Sequence, residues 1–593
     1  MRVLLIFVLL SAPLCAQDVT IPAEELARPP SATRLDALVA TAARDGWGRL
    51  APGLRAAALA AYEREPASAG PWLLLYRWGE LFGTPRRQAL ENWIKAIETA
   101  GGAHANMPLH YALPPGSLGG ELKPELQRWL VGNAAFSQEF FATLSDQDNP
   151  IEVLAILQKI ESANPGVFAD YASLALAIAV VYDVPPPPDW PHGQVSATML
   201  PRRLPEPTAA FDYWTKLDRA NVAAHKLKRL PASELKFVVD TSTPFSELIW
   251  ARQNVTPTLS ELARAYDMIR YRKERVANNQ FTWPGRDYSL QSILRDGGIC
   301  VDQAYFAANV GKARGVPTLL FRGAGLDGRH AWFGFLSPTG WVMDAGRYAE
   351  QKFVTGLVRD PQTWRELTDH ELAFISERFR QLPLFQLSEL HASFALEFLR
   401  ANNPAAALRA AREAVNRESR NLRGWQTLLS VQKVAGTDAR EREGTLREAM
   451  RAFARYPDLE SSFGRQLVAS LRERGEGSLA NVEEQRLARK YETIRSDLSY
   501  QQAGEILQRS LQSDDLATQF RTYQRLLETY GNGANIDFFD KIVRPFVESL
   551  RRRGEIASAM NAVDRARRTL RIPKGSQLEG ELNQMAAELR QPR

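Results

Sequence analysis

Small and aromatic apolar residues recur at spacings of three and four along most of this chain, and Pro or Gly interrupts them at short intervals. That rhythm commits the bulk of the sequence to amphipathic helices joined by tight turns, packed as hairpins. Leu54 to Tyr62 ends at Glu65-Pro66, Trp72 to Trp78 follows, and Gly83-Thr84-Pro85 separates that run from Ala89 to Ile94. The 593 residues correspond to roughly four domains. A hydrophobic share of 45% and a charged share of 24% are ordinary for globular proteins.

Residues 1–16 read as a cleavable secretory signal. Arg2 supplies the positive charge, Val3 to Leu10 the apolar run, and Leu14-Cys15-Ala16 the cleavage site before Gln17. Cys15 would suit lipid attachment, but Leu14 is a poor fit to the small residue such processing prefers. No later stretch reaches the uninterrupted apolar length of a membrane span. The expectation is a periplasmic or extracellular protein that does not span a membrane. Beyond the leader one cysteine remains, Cys300, so no internal disulfide can form and packing must hold the fold.

The expected order is a helical region over 30–183, a Pro-rich connector over 184–233, a distinct core over 234–370, and a second helical region over 380–590. Pro185 to Pro188, Pro191, Pro201, Pro205 and Pro207 prohibit one continuous helix and predict a stiff linker or surface excursion. Leu235 to Val239, β-branched and aromatic, predicts a strand. In the last region His391 to Ala401, Ala405 to Val415 and Asn421 to Val434 predict three helices. The first and third stand about 34 residues apart, a spacing that resembles tetratricopeptide repeats. Bundled helices without stacking are the alternative.

The texture changes between 285 and 350. Gly297-Gly298-Ile299 opens Cys300 to Val310, which is apolar on most sides and so predicts a helix enclosed by a domain. Gly315-Val316-Pro317 ends it. Cys300 falls in the first turn, where unpaired N–H groups and the helix dipole favour a thiolate. Asp302 opposes this with a like charge. Thr318 to Phe321 predicts a strand, followed by Gly323-Ala324-Gly325-Leu326-Asp327-Gly328. That loop matches a dinucleotide fingerprint in letters only: Arg329 to Leu336 is aromatic-rich and leaves no room for the required helix, so a loop beside a cleft is the better account.

His330 to Leu336 and Trp341 to Ala345 predict a hairpin. A two-residue turn at Pro338-Thr339 would put His330 and Asp344 on opposite faces. A three-residue turn over Ser337 to Thr339 restores the match, as would Pro338 to Gly340 with a compensating bulge. Singly, each residue suits a structural role: a buried apolar thiol, a satisfied imidazole, a turn cap. Together they compose nucleophile (Cys300), base (His330) and orienting carboxylate (Asp344), with N–H groups at the helix head available to an oxyanion.

The segment resembles the transglutaminase-like superfamily, relatives of papain-type cysteine enzymes. The matching text is Gly298-Ile299-Cys300-Val301-Asp302-Gln303-Ala304, Gly315-Val316-Pro317, His330-Ala331-Trp332 and Gly340-Trp341-Val342-Met343-Asp344. The resemblance implies a multidomain, mostly α chain with an α+β papain-like core between helical-repeat regions, and a Cys300–His330–Asp344 triad. It further implies acyl-enzyme chemistry on an amide. Trp341 stands one residue closer to Asp344 than is usual in that family.

The expected function is a secreted cysteine hydrolase or acyltransferase, a peptidase, amidase or transglutaminase, forming a thioester on protein or peptide substrates that the helical repeats present. Hydrolysis is slightly favoured because no amine-binding feature is visible. The alternative is a non-catalytic periplasmic or surface scaffold for protein–protein interaction. No cofactor and no metal ligand pattern is read from the sequence. From Lys541 onward 12 Lys and Arg face 6 Asp and Glu, which equals the whole net charge of +6. Solvated helix faces account for it better than an anionic partner, and nucleic acid is not expected outside the cytoplasm. No feature specifies an oligomeric state.

Overall fold

A computed structural model describes residues 21–101, 115–325, 328–349, 354–513, 515–531, 535–570, 572 and 574–591. The signal-peptide reading over 1–16 lies outside the described residues, as do Leu326 and Asp327 of the Gly-rich loop. The molecule is mostly helical, with one small antiparallel sheet.

Before the sheet, helices pack in antiparallel pairs around tryptophans. Trp72 and Trp78 are fully enclosed, and Trp78 Nε1 donates to Ser137 Oγ at 2.8 Å. Helix α1 (Ala172–Tyr182) is apolar on every side, and Leu174 to Val181 are enclosed by neighbours. The stretch Pro165–Tyr182 that contains it is long and apolar enough to cross a membrane. Its enclosure is that of a core helix.

Two expectations are corrected next. Leu235 to Val239 is not a strand but the end of helix α2 (Ala232–Val239), which packs on α1. Leu235, Val238 and Val239 are all buried, and a short apolar run enclosed on both sides satisfies a helix as well as a strand, so tertiary packing decides. The Pro-rich connector is no free linker. Val184, Trp190, Val195 and Leu200 are buried, and Pro207 occupies the first turn of a helix, Pro207–Arg219, that buries Phe211 and Trp214.

Helix α3 (Cys300–Lys312) is buried at every residue from Val301 onward. It packs against strands β1 (Thr318–Ala324) and β2 (Arg329–Ser337). Two glycines bring its head into place. Gly297 has φ +76°, and a Cβ there would stand 2.4 Å from the Arg270 carbonyl oxygen; one on Gly298 would stand 2.4 Å from Asp302 Cβ. Gly315, φ +67°, ends the turn after the helix. Strands β3 (Gly340–Ala345), β4 (Leu357–Arg359) and β5 (Glu366–Thr368) complete a sheet ordered β3-β2-β1-β4-β5.

The β2–β3 turn is the two-residue form: Ser337 pairs with Gly340 across Pro338-Thr339. A bulge follows, since Phe335 pairs with Val342 but Phe333 with Ala345. Met343 and Asp344 therefore share one position opposite Gly334.

After the sheet, α4 (Pro383–Arg400), α5 (Pro404–Arg417) and α6 (Leu422–Val434) stack so that α6 returns beside α4. Arg423 pairs with Glu389 at 3.0 Å and Asn421 donates to Ser388 at 2.8 Å. The helical arms on either side of the sheet meet where Tyr62 and His391 share a 2.5 Å hydrogen bond. A second hydrophobic cluster, separate from the main one, runs from Ala488 to Leu589 and includes helix α7 (Gln577–Arg590).

Candidate active site

Cys300 is the first residue of α3 and is half-buried. Burial pushes its thiol above the ordinary value; the N–H groups of Ala331, Val301 and Cys300 itself pull it back, while Asp302 adds to the rise. Helix α3 packs on β2, the strand that carries His330 and Ala331. The structure thus brings the head of α3 and the start of β2 together.

His330 is buried, and its Nε2 lies 2.7 Å from the carbonyl oxygen of Gly346. A carbonyl only accepts, so Nε2 carries the hydrogen and Nδ1 carries the lone pair. Tyr266 reinforces this tautomer: its hydroxyl donates to the Ala331 oxygen at 2.8 Å and lies 3.4 Å from Nε2. Burial lowers the basicity of His330, and the Gly346 contact partly restores it. A raised thiol beside a lowered imidazole is a neutral pair at rest, suited to moving the proton during attack.

Asp344 is not the group that orients His330. Its side chain is exposed and makes no hydrogen bond among the described residues. The bulge seats it opposite Gly334, four residues along β2 from His330. Its backbone carbonyl instead accepts from Arg347 N–H at 2.9 Å, closing a turn that carries Gly346 under the imidazole. Gly346 has φ +87°, and a Cβ there would collide with the Tyr266 ring at 2.8 Å. A backbone carbonyl therefore holds His330 where the Asp344 carboxylate was expected to.

A buried polar network supports α3 from behind. Asp302 accepts from Ile299 N at 2.8 Å, from Arg275 at 2.7 Å and from the Tyr288 hydroxyl at 2.8 Å. Since Tyr288 donates there, its oxygen accepts from His192 Nε2 at 3.0 Å. His192 Nδ1 is buried without a hydrogen-bond partner among the described residues. Burial, with the nearby Arg202 charge, drives the His192 pKa down to about 3.

This fixes a pH response. The folded state refuses a proton that the unfolded state accepts near pH 6.5, so stability is full above that value and drains away as pH falls toward about 3. At about pH 4.5 wild type is expected to lose about 2–3 kcal/mol that His192→Gln retains, read from denaturant melts at the two pH values. Equal acid losses in both proteins would refute it.

Tyr271 and Tyr348, 40% and 38% exposed, border the site. The Tyr348 ring centroid lies 5.2 Å from that of His330. Burial and then the Cys300 charge raise Tyr271 to about 12. They offer apolar faces and hydroxyls to a substrate chain.

Sequence reasoning missed Tyr266, Gly346, Arg275, Tyr288 and His192. Gly346 acts through a backbone atom that any residue carries, and His192 sits in the stretch read as a linker. Among the described residues, no three His, Cys, Asp or Glu side chains stand together as a metal site. No protein-family model matches the chain, and no curated protein matches it.

Proposed function

We propose that the chain is an exported, transglutaminase-like cysteine enzyme that acts on amide bonds of proteins or peptides through a thioester on Cys300. One observation carries the reading: the helix that opens with Cys300 packs on the strand of a histidine whose Nε2 is anchored on Gly346. His330 Nδ1 takes the thiol proton as sulfur attacks the amide carbon. N–H groups at the head of α3 receive the oxyanion. The C–N bond breaks and His330 returns the proton to the leaving amine. Water then adds to the thioester with His330 again as base, releasing the acid and restoring the thiol. Hydrolysis is favoured over amine transfer, and the helical arms present the substrate.

The exposed Asp344 favours a second reading, a helical scaffold with a retired core. Mass spectrometry of an extracellular protein mixture incubated with wild type and Cys300→Ser separates the two. The enzyme reading expects new peptide termini or deamidated Gln with wild type alone. Ammonia-losing crosslinks would switch the reaction to amine transfer. Identical products from both proteins would leave the scaffold.

A further inference from the structure

We propose that Arg329 is a positioning residue for His330, and that the C-terminal helices thereby set the reactivity of Cys300. The inference rests on the enzyme reading above.

Arg329 opens β2 and immediately precedes His330, yet its guanidinium is held by side chains more than two hundred residues away. Its guanidinium spans both oxygens of Asp540, at 2.8 and 2.9 Å, and Glu581 at 2.5 Å. Its backbone N–H donates to Gln577 Oε1 at 2.8 Å. Gln577 and Glu581 lie one turn apart on α7. Arg544 closes the arrangement by pairing with Asp540 at 3.3 Å and Glu581 at 2.6 Å, so two cations and two anions alternate around a ring. Ala324, at the other strand of the same hairpin, packs against the second hydrophobic cluster.

The β1–β2 hairpin therefore has two anchors. Its middle belongs to the main core through α3, and its turn end belongs to the C-terminal cluster. His330 stands one residue from the second anchor, and strand backbone carries a displacement of Arg329 directly to it. With the ring intact, the end of β2 is held where His330 Nε2 meets Gly346. With the ring broken, that end gains freedom and the productive geometry is populated less. A partner that draws the C-terminal helices aside would do the same.

The test uses the full chain and iodoacetamide as the probe of Cys300. Rates are measured from about pH 5 to about 9 for wild type, Asp540→Asn/Glu581→Gln, Arg329→Gln, Arg329→Lys and His330→Ala. The double variant changes no volume and leaves β2 untouched, so it reports even if Arg329→Gln folds poorly.

The expected result is alkylation at least about fivefold slower in the double variant, a displaced acid limb, and partial recovery in Arg329→Lys. Adding the double change to His330→Ala should cost nothing more, because the effect passes through His330. A rate within about twofold of wild type, a faster rate, or an equal loss in the His330→Ala background overturns the positioning role alone. A wild type no faster than His330→Ala overturns the enzyme reading together with it.

Discussion

His330→Ala is expected to slow alkylation of Cys300 at neutral pH by about 100-fold or more, the scale on which a positioned base assists proton transfer. Asp344→Asn is expected to stay within about twofold of wild type, since its side chain is exposed and bonded to nothing among the described residues. The wild-type rate should fall on the acid side of the ordinary histidine value, because burial lowers His330 and it accepts the thiol proton only while neutral. In His330→Ala that limb should vanish. The thiol would then react only through its own ionisation, which burial holds above the usual thiol range. The contrast between the two variants matters more than either rate. A large loss in Asp344→Asn with a small one in His330→Ala would mean that the base is not His330 and that the Gly346 contact orients nothing of consequence.

The placement of Cys300 at a helix head and of His330 on a strand could be read from the chain because each sits beside backbone punctuation that admits few side chains. Gly297 and Gly298 mark the close approach that seats Cys300 at a helix head, and Gly315-Val316-Pro317 marks where that helix must stop. The strands around His330 follow from aromatic alternation. What could not be read depends on atoms or partners that carry no local signature. One extra residue in β3 sets Asp344 opposite Gly334 and away from His330, and no pattern in Trp341 to Ala345 distinguishes a bulged strand from a regular one. Leu235 to Val239 became a helix because both of its sides are enclosed, a fact about its neighbours α1 and β1 rather than about that pentapeptide. Arg329 looked like an ordinary exposed residue until Asp540 and Glu581 arrived from the far end of the chain.

The largest loss of stability is expected from Arg275→Met, about 3–5 kcal/mol, measured as the shift in the denaturant midpoint of the core transition. The side chains of Arg275 and Asp302 are 3% and 0% exposed, and their 2.7 Å contact is the only charge pairing that Asp302 makes among the described residues. Arg275 also donates to the carbonyls of Gln280, Phe281 and Thr282, so its removal strands three more acceptors. Methionine fills much of the volume, which keeps the loss electrostatic rather than a matter of an empty cavity. Burial already raises the Asp302 pKa with Arg275 present, and losing the guanidinium raises it further. A carboxyl whose folded value lies above its unfolded value is stabilised by protonation. Measured against wild type at the same pH, the variant's loss should accordingly be largest at about pH 8 and smaller at about pH 5, on top of the His192 response that both proteins share. Asp302 also holds the Ile299 N–H that opens α3, so the same substitution should disturb the N–H groups around Cys300 and change its alkylation rate. A midpoint within about 1 kcal/mol of wild type at both pH values would mean that water reaches Asp302. The head of α3 would then not be fixed from behind, and the neutral thiol–imidazole pair would lose its physical basis.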